Sequence, residues 1–366
     1  MAILVLGAGG FIGSHLVERL LAGGRPVLAV DLSADKLAGV LGRPGLRIAL
    51  HDIRDPAFDL EGLVREADLV VDLIAYANPG LYVRMPLEVF RLNFEENLRI
   101  ARACARRGKR LVQFSSCEVY GMTPAAVMPD KLIDPEDPAL ATFSEDRSPC
   151  LLGPVGRHRW IYASAKQLLE RVLHAMGLAG ELDYTIIRPF NFLGPRIDYL
   201  PSEGDGVPRV FSCFMEALLR GEPMKLVDGG RQRRCYTDIG DAVEAISRVV
   251  DNNGGVCDRQ IFNIGSPANE VRISELAALM RGIFAERTGL PERDLPRPVS
   301  VSAEEFYGEG YQDSDRRIPD IAKARRLLGW EPRVGLRETL VRAMDGYLPP
   351  PARTAAARPA GRAERL

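Results

Sequence analysis

Apolar residues recur along the chain in short runs that are separated by polar or glycine-rich segments. Runs of four to eight such residues between turns are typical of buried strands. The pattern predicts strands at residues 3–6, 26–30, 47–50, 69–74, 111–114 and 185–188. Between them, residues 15–22 and 87–107 place apolar side chains at helical spacing. Alternating strands and helices predict an α/β fold with a doubly wound parallel sheet.

A glycine-rich turn, Gly7-Ala-Gly-Gly10-Phe-Ile-Gly13, lies between the first strand and the first helix. Glycines at this spacing permit a tight turn, close approach of the backbone to a pyrophosphate, and packing of helix on strand. Asp31 follows the second strand, where a carboxylate accepts hydrogen bonds from an adenosine ribose and repels a 2′-phosphate. The turn therefore predicts a Rossmann-type domain that binds NAD rather than NADP. Further candidates for contacts with this cofactor are Phe11, Ile12, Asp52, Ile53 and Leu73. Asp52 and Ile53 fit a simple loop equally well.

The segment Tyr162-Ile-Ala-Ser-Ala-Lys166 places a phenol and an ammonium group four residues apart. On a helix these positions share a face. A free phenol has a pKa of about 10, and a neighbouring positive charge lowers it. We therefore predict that Tyr162 accepts the proton of a sugar or alcohol hydroxyl that loses a hydride, with Lys166 as its partner. Such a pair occurs on many helices, and its position downstream of a nucleotide-binding turn gives it significance.

Composition and charge narrow the classes of partner. The 366 residues are 46% apolar, and 48 Lys and Arg residues balance 49 acidic residues. Neither nucleic acid nor membrane is expected as a general partner, and no apolar run approaches transmembrane length. The six cysteines have neither zinc-site nor disulfide-framework spacing. We expect a reduced, cytoplasmic protein without a metal site.

Five further segments carry a family resemblance: Phe114-Ser-Ser-Cys-Glu-Val-Tyr-Gly121, Arg159-Trp-Ile-Tyr-Ala-Ser-Ala-Lys166, Arg188-Pro-Phe-Asn191, Leu226-Val-Asp-Gly-Gly230 and Tyr311-Gln-Asp-Ser-Asp-Arg-Arg317. With the glycine turn, they resemble the extended short-chain dehydrogenases/reductases that act on nucleotide sugars. Within that family the chain looks like the UDP-glucuronate decarboxylases, including the domain of the polymyxin-resistance pathway and the UDP-apiose/UDP-xylose synthases. The resemblance spans nearly the whole chain.

The resemblance implies a reaction. The sugar is oxidised at C4 with NAD as hydride acceptor, the β-keto acid loses carbon dioxide, and the site stabilises the enolate. The product is then UDP-4-keto-pentose, UDP-xylose after return of the hydride, or UDP-apiose after ring contraction. A UDP-sugar 4-epimerase that uses the same Tyr/Lys pair is one alternative. A non-catalytic, NAD-sensing scaffold is another.

The resemblance also implies catalytic roles. Tyr162 matches the base and Lys166 its partner, Ser116 the residue that contacts O4, Glu118 the active-site glutamate, and Arg317 the arginine near C5. Because arginine has a high pKa, a bound water is the expected proton donor there. The residues alone also fit a turn cap for Ser116, a solvated strand-end charge for Glu118 and a surface position for Arg317.

Cys117 differs from the serine that is commoner at this position in the family, and it agrees with the apiose-forming enzymes. A thiol with a pKa near 8.5 can exchange a proton if its surroundings tune it, although a small packed residue is an equal possibility. The second cysteine of the apiose-forming enzymes is matched here by Ala77. This difference argues against ring contraction.

The substrate end is expected to hold two phosphates, a uracil and a sugar carboxylate. Asn191 matches the family asparagine that contacts a phosphate, and Arg159 is a candidate for the sugar carboxylate. The remaining candidates for the nucleotide and sugar are Arg209, Lys225, Arg234 and Tyr311. Arginine suits phosphate because its planar group binds two oxygens at once. Residues 231–234 also fit an exposed basic loop.

We expect two domains and a tail. The NAD-binding Rossmann domain comprises 1–190 and 235–265, a smaller nucleotide-sugar-binding α/β domain comprises 191–234 and 266–348, and residues 349–366 are disordered. The long polar stretches at 122–158 and 198–208 are expected to be functional or mobile. The resemblance alone implies a homodimer built from helices near 87–107 and 160–177.

Overall fold

The computed structural model describes residues 1–127, 134, 136–203, 209–309 and 311–348. The predicted disordered tail lies outside the described residues, as do parts of the two long polar stretches. The described strands are β1 (Ile3–Leu6), β2 (Val27–Asp31), β3 (Leu46–Leu50), β4 (Leu69–Asp72), β5 (Arg110–Phe114), β6 (Thr142–Phe143), β7 (Tyr184–Pro189), β8 (Phe192–Leu193), β9 (Met224–Val227), β10 (Arg233–Cys235), β11 (Thr237–Asp238), β12 (Gln260–Ile264), β13 (Glu270–Arg272), β14 (Pro298–Val301) and β15 (Ile318–Pro319).

Helices connect most of these strands. The described α-helices are α1 (Phe11–Ala22), α2 (Leu60–Glu66), α3 (Pro79–Arg84), α4 (Pro86–Phe90), α5 (Asn97–Arg106), α6 (Pro124–Val127), α7 (Pro138–Ala141), α8 (Ile161–Leu178), α9 (Val210–Arg220), α10 (Ile239–Asp251), α11 (Ile273–Thr288), α12 (Ala303–Tyr307), α13 (Ala322–Leu328) and α14 (Leu336–Asp345). Among the described residues, no helix is both long enough and apolar enough to cross a membrane.

Seven strands form one sheet in the order β12-β7-β5-β4-β1-β2-β3, and every neighbouring pair is parallel. The predicted doubly wound parallel sheet is therefore confirmed. β1 and β4 are buried along their whole length. One apolar cluster joins the sheet to α1 and α10, and a second joins it to α2, α5 and α8. Burying each large aliphatic side chain in such a core stabilises the fold by about 1.5–3 kcal/mol.

Two predicted elements end or break earlier than expected. The fourth strand stops at Asp72, whose carboxylate accepts a hydrogen bond from the Ile74 amide at 2.9 Å and turns the chain. The predicted helix over 87–107 consists of α4, a π-helical segment (Arg91–Glu96) and α5. Around that segment, Asn93 donates to the Tyr76 carbonyl at 3.3 Å and Asn97 to the Ile74 carbonyl at 3.2 Å. The π-helical segment therefore brings two amides to the loop after β4, as such bulges do at functional sites.

Short strand pairs lie outside the main sheet. β9 pairs with β14 and β10 with β13, whereas β12 joins the main sheet. This arrangement is compatible with the proposed assignment of 235–265 to the first domain and of 191–234 and 266–348 to the second. The two parts share one continuous apolar cluster that includes Ile246 and Met280. The division into domains therefore remains a proposal.

Candidate functional site

A cavity of about 290 Å³ opens where the chain leaves the carboxyl ends of β4, β5 and β7. Open parallel sheets bind their ligands at this edge. The cavity is lined by most of the residues proposed for catalysis and substrate binding, and by two of those proposed for the cofactor. These are Ile12, Leu73, Ser116, Cys117, Glu118, Arg159, Tyr162, Asn191, Arg209, Lys225, Arg234, Tyr311 and Arg317. The fold thus brings together residues that are up to about three hundred positions apart in the sequence.

The turn after β5 presents Ser116, Cys117 and Glu118 to the cavity. It is a 3-10 turn over Cys117–Tyr120, and the Ser116 hydroxyl accepts a hydrogen bond from the Glu118 amide at 3.1 Å. Ser116 therefore does cap a turn, as the simpler reading expected. The same hydroxyl also interacts with the Tyr162 phenol, where its hydrogen bond acts to lower the pKa of Tyr162. The turn-cap role is thus confirmed, and contact of Ser116 with the substrate O4 atom stays a prediction.

Glu118 lies between two buried arginines. The Nη2 atom of Arg317 donates to Glu118 Oε1 at 2.6 Å, and Arg159 contacts the other carboxylate oxygen. Burial would raise the pKa of Glu118, but the charges of Arg159 and Arg317 hold it well below its usual range. Both arginine side chains are at most 2% exposed. The alternatives of a solvated glutamate and a surface arginine are therefore wrong.

The two arginines retain unused hydrogen-bond donors. Arg159 Nε and Arg317 Nε and Nη1 are buried and have no hydrogen-bond partner among the described residues. A buried donor without a partner costs about 1–3 kcal/mol, and more when the group is charged. An anionic ligand with planar oxygens would satisfy these donors. The arginine pair therefore suits a carboxylate beside Glu118.

Tyr162 and Lys166 lie on the first turns of α8, as predicted. The Lys166 ammonium donates to Asn97 Oδ1 at 2.8 Å and to the Phe114 carbonyl at 3.0 Å. The Tyr162 ring stacks on Tyr82, with ring centres 4.6 Å apart and planes 3° from parallel. Sequence reasoning missed Asn97 and Tyr82. Only their residue types gave a signal in the sequence. Tyr82 is an aromatic residue in the segment after β4, and Asn97 is a polar residue within the predicted helix over 87–107.

The expected direction of the Tyr162 pKa is wrong for the described chain. Burial raises the pKa of Tyr162 above its ordinary value, and Glu118 raises it further, while the Ser116 hydrogen bond lowers it. The Lys166 ammonium is engaged by Asn97 and Phe114. Loss of hydration therefore outweighs the positive charges around the phenol. Ionisation of Tyr162 needs further stabilisation of the phenolate.

Asp72 and Lys166 influence each other beneath the site. Burial lowers the pKa of Lys166 to about 8, and the negative charge of Asp72 opposes that shift. Burial raises the pKa of Asp72 to about 6, and Lys166 lowers it. Each group therefore favours the charged form of the other. The charge on Lys166 thus depends partly on a buried carboxylate outside the cavity.

Replacing Asp72 by asparagine is expected to shift the alkaline limb of the activity profile to lower pH. The substitution removes the charge that favours the protonated lysine, so Lys166 loses its proton at lower pH. Turnover measured across pH 6 to about 10 checks this expectation. The exposed Asp68, replaced in the same way, should leave the profile in place. An unchanged limb in Asp72→Asn would contradict the proposed coupling.

The glycine turn forms a cradle at the start of α1. Gly7 has a φ of +81°, and α1 begins after Gly10 with no side-chain cap. The Asp31 carboxylate accepts the Gly9 amide at 2.8 Å and the Leu32 amide at 2.6 Å. An uncapped helix terminus beside a glycine turn binds phosphate groups, and an acidic residue at the end of β2 suits a ribose. The residues present fit an NAD molecule.

Gly9 was not singled out by the sequence analysis. A Cβ atom at Gly9 would lie 1.9 Å from the Ser33 carbonyl oxygen, and one at Gly13 would lie 2.1 Å from the Gly7 carbonyl oxygen. Both positions therefore exclude any side chain. The sequence did hold a signal for Gly9, because Gly9 and Gly10 are adjacent and only Gly10 belongs to the spacing Gly7, Gly10 and Gly13.

Replacing Gly9 by alanine is expected to weaken NAD binding at least tenfold, about 1.4 kcal/mol. The added methyl group would push the turn away from the Ser33 backbone and from Asp31. Titration of NAD by calorimetry measures the loss. Gly282→Ala is the matched control, because its Cβ would meet nothing within 4 Å. Equal NAD affinity in Gly9→Ala would show that this contact does not shape the cofactor cradle.

The remaining cofactor candidates are Asp52, Ile53, Leu73 and Ile12, and they lie outside the contacts described for the glycine turn. Asp52 forms an ion pair with Arg54 at 2.7 Å, and Ile53 is buried in the apolar cluster on one face of the sheet. Leu73 and Ile12 line the cavity. The contacts of Asp52 and Ile53 thus fit the simple-loop reading, and they give no support to a contact with the cofactor.

The arginines of the substrate end are paired. Arg234 is buried, forms an ion pair with Asp313 at 2.7 Å and donates to the Ser314 carbonyl at 2.9 Å. The exposed-loop alternative is therefore wrong for this residue. Arg209 pairs with Asp198 at 2.6 Å and its guanidinium lies over the Phe11 ring at 5.4 Å. Arg209 thus approaches the glycine turn as well as the substrate end.

The remaining substrate candidates also face the cavity. Asn191 has a φ of +42° and donates to the Cys235 carbonyl at 3.1 Å. Lys225 is exposed on β9, and Tyr311 stacks on Tyr307 with ring centres 4.0 Å apart. No group of acidic, histidine or cysteine side chains suited to a metal ion occurs within the described part of the chain.

The model of the NAD dependent epimerase/dehydratase family matches residues 3–265. The chain belongs to this family. The match confirms the extended short-chain dehydrogenase/reductase resemblance and NAD as the cofactor.

Relatives with similar sequences include the UDP-D-apiose/UDP-D-xylose synthase of Oryza sativa subsp. japonica, 43% identical over 350 residues, which are 93% of this chain and 87% of that protein. UDP-D-apiose/UDP-D-xylose synthase 1 of Arabidopsis thaliana is also 43% identical, over 93% of this chain and 89% of that protein. Among solved structures, the PbgP3 protein from Burkholderia pseudomallei has a TM-score of 0.79 at 34% identity, covering 94% of this chain and 96% of that chain. MoeE5 in complex with UDP-glucuronic acid and NAD has a TM-score of 0.71 at 28% identity, over 95% and 99%.

Proposed function

We propose that this protein catalyses the NAD-dependent oxidative decarboxylation of UDP-glucuronate through a UDP-4-keto intermediate. One observation carries the proposal: Glu118 and two buried arginines with unused donors lie in the same cavity as Tyr162. A carboxylate-bearing sugar fits this arrangement better than a neutral sugar does. The similarity to UDP-apiose/UDP-xylose synthases and to MoeE5, solved with UDP-glucuronic acid, supports it.

The first step would oxidise C4 of the sugar. Tyr162 takes the proton of the C4 hydroxyl, and Ser116 holds that oxygen by a hydrogen bond. NAD, when bound in the cradle of the glycine turn, supplies the acceptor for the hydride from C4. The positive charge of Lys166, about one helical turn away on the same face of α8, favours the ionised phenol. This step leaves a ketone β to the sugar carboxylate.

The second step would break the bond between C5 and the carboxylate. Carbon dioxide leaves, and the electron pair of the broken bond moves onto the C4 oxygen as an enolate. Ser116 and Tyr162, now protonated, donate hydrogen bonds to that oxyanion. Arg159 and Arg317 orient the carboxylate, and Glu118 beside it disfavours the ionic ground state. A water held by Arg317 returns a proton to C5.

At the nucleotide end, Asn191, Arg234, Arg209 and Lys225 would bind the two phosphates. Arg234 is fixed in place by Asp313, so its geometry is set before the substrate arrives. Tyr311 would pack against the uracil or the sugar. Preorganised donors lower the cost of ordering side chains on binding.

The proposed products are UDP-4-keto-pentose and UDP-xylose. Ala77 lines the cavity where the apiose-forming enzymes carry a cysteine. Burial raises the pKa of the Cys117 thiol, while Arg317 lowers it, and the net shift is upward. Cys117 is therefore a thiol at neutral pH, and the chain lacks the matching second thiol for ring contraction.

UDP-apiose formation is the second candidate. It is favoured by Cys117 in the cavity and by the 43% identity to UDP-D-apiose/UDP-D-xylose synthases. The two candidates share oxidation and decarboxylation and differ only in what happens to the ring afterwards.

Incubation of the protein with UDP-glucuronate and NAD, followed by NMR of the products and measurement of carbon dioxide, tests the proposal. We expect carbon dioxide together with signals of the 4-keto-pentose or xylose forms. Signals of a branched pentose would favour the second candidate. Conversion to UDP-galacturonate without loss of carbon would establish a 4-epimerase instead. Absence of any turnover while NAD binds would support the sensing scaffold.

We further propose that the protein acts as a cytoplasmic homodimer. Leu168 and Leu178 on α8 are 44% and 73% exposed, and pairing of α8 with a second copy would cover them. The six free cysteines suit a reducing compartment. Analytical ultracentrifugation of the wild type and of Leu178→Lys would test the pairing. A monomeric wild-type protein would contradict it.

A further inference from the structure

Asn263 on β12 is completely buried and connects three separate segments of the chain. Its Oδ1 atom accepts a hydrogen bond from the Tyr120 hydroxyl at 2.8 Å. Its Nδ2 group donates to the Phe143 carbonyl at 2.9 Å and to the Asp320 carbonyl at 3.2 Å. Every polar atom of this side chain therefore has a partner, and the cavity residues do not include Asn263.

The direction of each hydrogen bond is fixed by its neighbours. The Tyr120 hydroxyl accepts from Arg188 Nη1 at 2.7 Å, so its own proton must point to Asn263. Arg188 is in turn held by the buried Glu170 at 2.5 Å. The two carbonyl oxygens can only accept. An amide with one acceptor and two donors is the group that satisfies all three partners.

All three connections lead to the pair formed by Glu118 and Arg317. Tyr120 ends the 3-10 turn that carries Glu118. Phe143 lies in β6, which pairs with β15, and β15 begins one residue after Arg317. Asn263 thus joins the Glu118 turn to the Arg317 strand, although these residues are 199 positions apart in the sequence.

We propose that Asn263 is a positioning residue that sets the geometry of the Glu118–Arg317 pair, and through it the rate of decarboxylation. β6 and β15 are only two residues long, so the backbone hydrogen bonds between them do little to prevent one strand from shifting along the other. The Asp320 amide also donates to the Phe143 carbonyl at 2.9 Å, at the same point that Asn263 holds. The three hydrogen bonds of the Asn263 side chain therefore tie both segments to β12 at the edge of the main sheet. This inference rests on the proposed function of the site.

Asn263→Asp tests the inference. Aspartate keeps the volume and the acceptor for Tyr120 but removes both donors, and it faces the two carbonyl oxygens with negative charge. Displacement of the pair by about 1 Å is expected to slow carbon dioxide release up to 100-fold. Formation of NADH in a single turnover should change much less, because Tyr162 and the glycine turn make no contact with Asn263. NAD affinity should be unchanged.

Asn269→Asp is the matched control. Asn269 is also buried, and its side chain donates to the Val334 carbonyl at 2.9 Å instead of to a segment that carries Glu118 or Arg317. It should change stability without changing the ratio of carbon dioxide release to NADH formation. A shift of that ratio in Asn269→Asp as large as in Asn263→Asp would overturn the inference, as would an unchanged ratio in Asn263→Asp.

Tyr120→Phe provides an independent test if Asn263→Asp folds poorly. It cuts the link to the Glu118 turn and leaves the links to Phe143 and Asp320 in place. The ratio should move in the same direction, and the double variant should show less than the sum of the two effects, because both act on one network. Additive effects, or equal slowing of both steps, would overturn the inference. Failure of the proposed function itself is distinct, because the wild type would then release no carbon dioxide from UDP-glucuronate.

Discussion

Tyr162→Phe is expected to lose catalytic turnover by a factor of about 10² to 10⁴, the range that a general base contributes. The substitution removes the oxygen that takes the C4 proton, so neither NADH nor carbon dioxide should form at an appreciable rate. The fold should be little affected, since phenylalanine retains the stacking on Tyr82 at 4.6 Å. NAD binding should also persist, because the glycine turn and Asp31 are unchanged.

The measurement is single-turnover absorbance of the NADH band with UDP-glucuronate, together with NAD titration. Tyr184→Phe is a suitable control, because the Tyr184 hydroxyl bonds to His174 at 3.0 Å and Tyr184 does not line the cavity. That variant should oxidise the sugar at the wild-type rate. Wild-type turnover in Tyr162→Phe would remove the phenol from the mechanism.

The main sheet could be predicted because its strands leave a strong signal in the sequence. Residues 3–6 are a continuous apolar run and residues 111–114 are apolar except for Gln113, a pattern typical of strands buried on both faces. The glycine turn and the Tyr162–Lys166 spacing are local patterns, so they indicated the cofactor cradle and the catalytic helix without knowledge of the fold. The resemblance to known enzymes then supplied Glu118 and Arg317.

The rest of the site depends on contacts that no local pattern encodes. Arg317 reaches Glu118 through β6 and β15, and two-residue strands have no measurable periodicity. Asn97 reaches Lys166 through the π-helical segment, which residue spacing at the helical period does not predict. The raised pKa of Tyr162 follows from burial, and burial is known only when the surrounding residues are placed.

The paired state of the arginines has a consequence for substrate binding. Arg159, Arg317 and Arg234 are each held by an acidic partner, Glu118 or Asp313. Their side chains are therefore ordered before a ligand arrives, and three buried cations face two carboxylates. One positive charge is left over, which the carboxylate of a bound sugar acid would balance and a neutral sugar would not.

Glu118→Gln is expected to slow carbon dioxide release at least about 100-fold, while the sugar is still oxidised. Glutamine has the same shape but no charge, so Arg159 and Arg317 lose the carboxylate that holds them. The substrate carboxylate would then replace Glu118 as the counter-ion between the two arginines and would be stabilised in the ionised ground state. NADH should accumulate with UDP-glucuronate because oxidation continues without decarboxylation.

Parallel measurement of NADH and of carbon dioxide in one sample separates the two steps of Glu118→Gln. Glu216→Gln is the control, since Glu216 pairs with Arg220 at 3.3 Å and does not line the cavity. Thermal unfolding of both variants accounts for the loss of a buried charge, because removing one partner of a buried ion pair costs about 3–5 kcal/mol. Release of carbon dioxide at the wild-type rate by a folded Glu118→Gln protein would show that the carboxylate between the two arginines organises the cavity without assisting carbon–carbon cleavage.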